Sequence, residues 1–201
     1  MPKTLAIFTL LFSLTISTYC QVFQGGFAGG LVGSQVAGDK YSGFHKPGMY
    51  GAFWVRLYAN ENSSFQTELS YFQKGSRHNP DEKKQDFLFY LMRLGYIEMP
   101  FLYQYHFKSK MSIEVGPSVS FLLHNYEAID DVEVVDGDFN LINPSATVGV
   151  GYQVTENVTA NFRAVSSLSS IRHDKVAGTV HRIFDYGQYN DCIMLFLSYK
   201  F

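Results

Sequence analysis

Residues 142–154 read INPSATVGVGYQV. Taken alternately, one set is Ile142, Pro144, Ala146, Val148, Val150, Tyr152 and Val154, and the other is Asn143, Ser145, Thr147, Gly149, Gly151 and Gln153. Successive side chains of an extended chain point to opposite sides, so this stretch is a strand between two unlike environments, one greasy and one polar or empty. The same period of two returns elsewhere. Met111, Ile113, Val115, Pro117, Val119 and Phe121 alternate with Ser112, Glu114, Gly116, Ser118 and Ser120, and Val158, Ala160, Phe162 and Ala164 alternate with Thr159, Asn161 and Arg163.

Three features decide which environment is outside. The polar set is mostly Gly, Ser, Thr and Asn, which suits a crowded interior; a face in bulk water would carry more Lys and Glu. Many segments run ten residues or more, near the ~9–11 that cross a bilayer at a tilt, where ordinary strands average about 5–6. The links alternate in length. A first strand at about Gln24 to Gln35 leads through a long polar loop to a second at about Met49 to Ala59. A tight turn at NENS then opens a third, about Phe65 to Lys74. The charged loop GSRHNPDEKKQD precedes the fourth, about Leu88 to Phe107, and KSK turns it into the fifth, about Met111 to His124. The acidic loop YEAIDDVEVVDGD, the strand at 142–154, a turn at TEN, a seventh strand, a loop from about Arg172 to Tyr189 and a terminal strand complete eight. Short turns on one side and long loops on the other are the plan of an eight-stranded antiparallel up-and-down transmembrane β-barrel, all-β, with apolar residues on lipid and polar residues inside. Closure pairs every backbone group that lipid could not satisfy. A soluble lipocalin-like barrel, with its faces reversed, is the alternative.

Residues 1–20, MPKTLAIFTLLFSLTISTYC, have the basic start, apolar stretch and small polar end of a signal peptide, with a cut before Gln21. Residues 21–201 then form the barrel domain, and the expected location is the outer membrane. Lipidation of Cys20 is the competing reading, against which Tyr19 stands in the position that this processing requires to be small. With Cys20 removed, Cys192 is left without an intramolecular partner. Beyond the signal no run of about 18 apolar residues occurs. The composition agrees with an embedded protein: 16% aromatic and only 17% charged, against a usual charged fraction of about 25%. A net charge of −2 gives no basis for nucleic-acid binding.

Extending the alternation assigns residues to each face. Tyr103, Tyr105, Phe107, Tyr152, Tyr199 and Phe201 fall outward near the short-turn side and make a membrane-interface girdle of aromatics. Arg56, Glu68, Glu98, Gln104, His106, Glu114 and Arg163 fall in the lumen. Charges withdrawn from water need partners, so these residues are expected to form an ion-pair and hydrogen-bond network that plugs the barrel, with a proton or ion path as the other reading. Folding about NENS places Arg56 roughly opposite Glu68. The carboxylates of the loop after the fifth strand, Glu127 among them, read as a solvated acidic loop. Neither they nor His78, His173 and His181 have a metal-binding spacing; no metal or cofactor is expected. Catalysis would have to use His124 or His173 with the serines at 166, 167, 169 and 170, where no triad order is legible. The glycines at 25, 26, 29, 30 and 33 let a thin first strand bend against its neighbours.

With GGFAGGLVGSQVAGD, ELSYFQKGSR, RLGYIEMPFLYQYHF, EVGPSVSFLL and the final LSYKF in this order, the mature chain resembles the PorT-like outer-membrane barrel proteins of Bacteroidetes. The most specific segments are Tyr96-Ile97-Glu98-Met99-Pro100 and Gly116-Pro117. The resemblance implies an outer-membrane barrel. Its named member serves type IX protein secretion, a role that membership alone does not transfer. Three readings of function follow. The first is a non-enzymatic barrel, structural or an adaptor through its external loops, with a possible outer-membrane protein partner. The second is a component of a secretion or gliding machinery, and the third a lipid A-modifying enzyme. The final aromatic also resembles the terminal signal read by the barrel assembly machinery.

Overall fold

The computed structural model describes residues 23–41, 43–134, 138–172, 180–183 and 185–201. Eight long strands carry the fold: β1 (Phe23–Ala37), β2 (Lys46–Tyr58), β3 (Ser63–His78), β4 (Tyr90–His106), β5 (Met111–Ile129), β6 (Ile142–Gln153), β7 (Val158–Ser167) and β8 (Tyr189–Lys200). Each pairs antiparallel with its sequence neighbours, and β1 pairs with β8, so the sheet closes. The closing seam runs from Gly26↔Lys200 to Ala37↔Tyr189. A closed sheet has no unpaired edge to present to lipid.

Exposure settles which face is outside. Leu31 and Phe53 are each 70% exposed and Leu195 65%, whereas Glu68 is 4% and Arg163 2% exposed. The greasy set faces outward, the reverse of a soluble barrel. The inner face is uneven. β5 and β6 contribute Ser118, Ser120, Asn143, Ser145 and Thr147, while β2, β3, β4 and β8 contribute Trp54, Phe72, Tyr96, Met194 and Phe196. Small residues on one side make room for rings from the other, which is how a barrel of this size fills its interior. β1 is thin for the same reason: a side chain at Gly26 would collide with the Trp54 ring, and one at Gly30 with Phe196.

The wall differs from the sequence expectation at its external end. β3 runs to His78 and β5 to Ile129, beyond the Lys74 and His124 expected from alternation. In β5 the alternation itself breaks. Tyr96 pairs with Leu122 but Gly95 with His124, leaving Leu123 as an extra residue. Such a bulge turns every later side chain to the opposite face, so Glu127 points inward. Asp130 and Asp131, at φ 50° and 63°, then form a tight turn into Val132–Glu133, which pairs back on Ala128 and Ile129. The stretch expected as a solvated acidic loop is therefore barrel wall as far as Ile129. Residues 1–20 and His173 lie outside the described residues.

Candidate functional site

The lumen holds its charges in tiers. In the central tier Arg163 of β7 donates from Nε to Glu114 Oε1 at 2.6 Å, and from Nη1 and Nη2 to the two oxygens of Glu68 at 2.9 and 2.8 Å. Tyr50 donates its hydroxyl to Glu68 Oε2 at 2.5 Å, and Gln104 Nε2 reaches Glu114 Oε2 at 3.0 Å. The guanidinium lies over the Phe196 ring at 4.8 Å. One cation faces two carboxylates, a formal charge of −1 held at the barrel's centre. A planar fork that donates in several directions suits such a site, which an ammonium could not fill equally well.

Arg56 does not face Glu68 as the turn suggested. The β2–β3 register sets Arg56 against Gln66 and Trp54 against Glu68, a slip of two residues. Arg56 donates to Gln66 Oε1 from Nε at 3.0 Å and Nη2 at 2.8 Å. Gln66 passes the polarity on, donating from Nε2 to Glu68 Oε1 at 2.7 Å. The Arg56 charge thus reaches Glu68 through one amide. Below it, at the short-turn rim, His106 Nε2 shares a hydrogen with Ser64 Oγ at 2.7 Å.

Above the centre Lys74 Nζ meets Glu98 Oε2 at 2.5 Å and Ser120 Oγ at 3.2 Å, with Ser120 also donating to Glu98 at 2.7 Å. The ammonium sits 4.5 Å from the Phe72 ring centre. Lys74 shares the inward parity of Glu68, a signal the sequence carries at the expected end of the third strand. The external tier had no such signal. Arg172 forks onto Glu127 at 2.6 and 2.9 Å, and Tyr90 donates to Glu127 at 2.6 Å. The bulge hides Glu127, and Arg172 belongs to a loop.

Outside, the aromatics expected to form a girdle pack against each other and their neighbours: Tyr199 stacks on Phe27 at 5.3 Å, Phe201 meets Phe27 at 6.0 Å, Tyr103 meets Phe65 at 5.6 Å, and Tyr105 meets Phe107 at 5.0 Å. Tyr152 is exposed at the same end. In the first external loop Asp39 is buried and holds the Tyr41 amide at 2.8 Å. Burial raises its carboxyl above the ordinary 3.8, against weaker lowering by Ser76, nearby amides and Arg172. Tyr41, stacked on His78 at 4.5 Å, is also raised, by burial first and then by Asp39, Asp86 and Asp130.

Among the described residues the catalytic candidates do not assemble. His124 lies on the outer wall against Tyr71. Ser166 is held by Asp191 and Arg182, Ser167 by Asn143, and Ser170 by Asp185. Among the described residues no three His, Cys, Asp or Glu side chains converge as metal ligands.

A closed wall of eight antiparallel strands, greasy outside and ion-paired within, is an integral outer-membrane β-barrel. The chain belongs to the outer membrane protein beta-barrel domain family, whose model matches residues 19–172. No curated protein matches the sequence. Among solved structures, Ail, the attachment invasion locus protein of Yersinia pestis, aligns at 12% identity over 89% of this chain and 98% of that one, with a TM-score of 0.47. Neisserial surface protein A (NspA) aligns at 13% identity over 89% and 96%, TM-score 0.49. OprG from Pseudomonas aeruginosa does so at 13% over 89% and 94%, TM-score 0.38.

Proposed function

We propose that this protein is a plugged, non-enzymatic outer-membrane barrel that acts as an adaptor, presenting its external rim to a protein partner. The observation that carries this reading is the rim itself. Phe87, Val132 and Ile183 are each at least 70% exposed in the loops above the wall. Large apolar side chains that the described residues leave open to water mark interaction surfaces. They stand on a rigid base, because Tyr90, Glu127 and Arg172 tie β4 and β5 to the last long loop. The tiers of ion pairs and the rings packed against them occupy the lumen where a conduit would need water, which favours a plug over an ion path.

Crosslinking and pull-down from native outer membranes, with wild type beside a Val132→Ser, Ile183→Ser variant, tests the reading. A protein captured by wild type and lost from the variant supports it; identical captures, or no retained protein, would overturn it. The resemblance carried by Tyr96–Pro100 favours one kind of partner, a large outer-membrane component of type IX secretion or gliding, and capture of such a component selects that second reading. Recognition of Phe201 by the barrel assembly machinery belongs to the same proposal. The lipid A-modifying alternative predicts that His124→Ala alters the lipid A mass profile of the host; on the adaptor reading the profile is unchanged.

A further inference from the structure

The wall is not laddered to the same height all round. β2 pairs with β3 from Tyr58↔Ser64 only as far as Tyr50↔Phe72. Above that level β2 continues to Lys46 along β1, and β3 continues to His78 along β4. Two side chains bridge the gap: Gln73 Oε1 accepts the Met49 amide at 3.3 Å, and Ser34 Oγ donates to the Gly75 carbonyl at 2.9 Å. The gap opens on the outer wall as a concavity of about 730 Å³, bordered by Lys46, Gln73, Arg77, Arg93, His124 and Tyr126.

Its charge is one-sided. Lys46, Arg77 and Arg93 line it against one carboxylate, Asp131. Lys46 is 5% exposed, and its ammonium makes one long hydrogen bond, 3.4 Å, to the Pro47 carbonyl. Among the described residues neither Lys46 nor Arg93 has a carboxylate within ion-pair distance, and the two cations repel each other. A cation taken out of water with no counter-ion is costly. Among the described residues the other basic side chains this deeply buried, Lys74 and Arg163, each have a carboxylate.

Depth identifies the occupant. From Tyr103 in the girdle to Arg93 on the same strand is ten residues; at ~3.3 Å each and a tilt of ~40°, Arg93 lies about 25 Å above the girdle, the height of the apolar band. The notch therefore sits at the headgroup level of the external leaflet. Beneath it Met49 and Leu69 are exposed apolar wall for acyl chains.

We propose that this notch binds the phosphorylated headgroup of an external-leaflet lipid, with Lys46, Arg77 and Arg93 as its counter-charge. The site rests on the outer-membrane location and is independent of the adaptor reading. The test is native mass spectrometry of the full chain in detergent, titrated with bis-phosphorylated lipid A, with dephosphorylated lipid A and inorganic phosphate in parallel. One phosphorylated lipid per barrel is expected to be retained. Loss of a charge-assisted contact weakens binding about tenfold, the result expected for Arg93→Gln, whose exposed side chain can be lost without disturbing the wall, and for Lys46→Gln. Lys110→Gln, at the opposite rim, is expected to bind as wild type. Equal retention of the dephosphorylated lipid, unchanged binding by Arg93→Gln, or displacement of the lipid by an equal concentration of inorganic phosphate would each overturn the assignment.

Discussion

Arg163→Gln is the most direct test of what holds the barrel's centre together. The substitution removes the cation that donates to Glu114 at 2.6 Å and to Glu68 at 2.8 and 2.9 Å. Both carboxylates remain buried, and Arg56 reaches Glu68 only through Gln66. Breaking a buried pair by deleting one partner costs about 3–5 kcal/mol, which is roughly a hundred- to four-thousand-fold in the folding equilibrium. The assay is urea unfolding of protein folded into phospholipid vesicles. It can be followed by the fluorescence of Trp54, the single tryptophan, which lies inside the lumen with Arg56 5.0 Å from its ring centre. Glu68→Gln in the Arg163→Gln background removes one stranded charge, so the double variant is expected to recover about 1 kcal/mol or more relative to simple additivity. Arg163→Lys keeps the charge but loses the fork, and is expected to fall between the two. A loss below about 1 kcal/mol for Arg163→Gln, or strictly additive effects in the cycle, would refute the view that this ion cluster stabilises the fold.

Other substitutions probe other levels of the structure. Leu195→Arg, on the lipid face near mid-height, is expected to cost about 2–4 kcal/mol in the same vesicle assay, whereas Lys in place of Phe201 at the membrane edge should cost little in stability. Phe201→Asp, or a polar extension after it, is expected instead to impair assembly in cells, read as loss of heat-modifiable protein from the outer membrane; normal assembly would make Phe201 one more lipid-facing ring. Asp39→Asn tests the external loop by pH. Because burial raises the Asp39 carboxyl when folded, its contribution is fully present below 3.8 and is lost as pH rises through the folded value. The Asn variant should therefore match wild type in acid and exceed it at neutral pH. Tyr90→Phe removes the hydrogen bond to Glu127 and is expected to cost about 1–3 kcal/mol, with faster amide exchange at the ends of β4 and β5 than in β6 and β7.

The amino-acid sequence by itself determined the strands, their number and the sense of their two faces. Alternation is a property of each extended segment, since neighbouring Cβ atoms must point opposite ways, and it can be read without knowing what the segment touches. That is why Arg163, Glu68, Glu98 and Glu114 could be placed inside and Tyr199 outside from spacing alone. Their partners could not be placed. Arg163 and Glu68 are 95 residues apart and meet only because the sheet closes and sets β3 and β7 across one lumen. The two-residue slip that gives Arg56 to Gln66 depends on the turn and on the shear of the closed sheet. One extra residue in β5 reversed the parity beyond Leu123 and carried Glu127 inward to Arg172, in a stretch whose composition reads as solvated loop. The gap between β2 and β3, with Lys46 at its edge, has no sequence pattern, because it follows from two strands keeping their outer neighbours and losing each other. Local geometry is written residue by residue; which charges meet is decided by register and closure, which belong to the whole sheet.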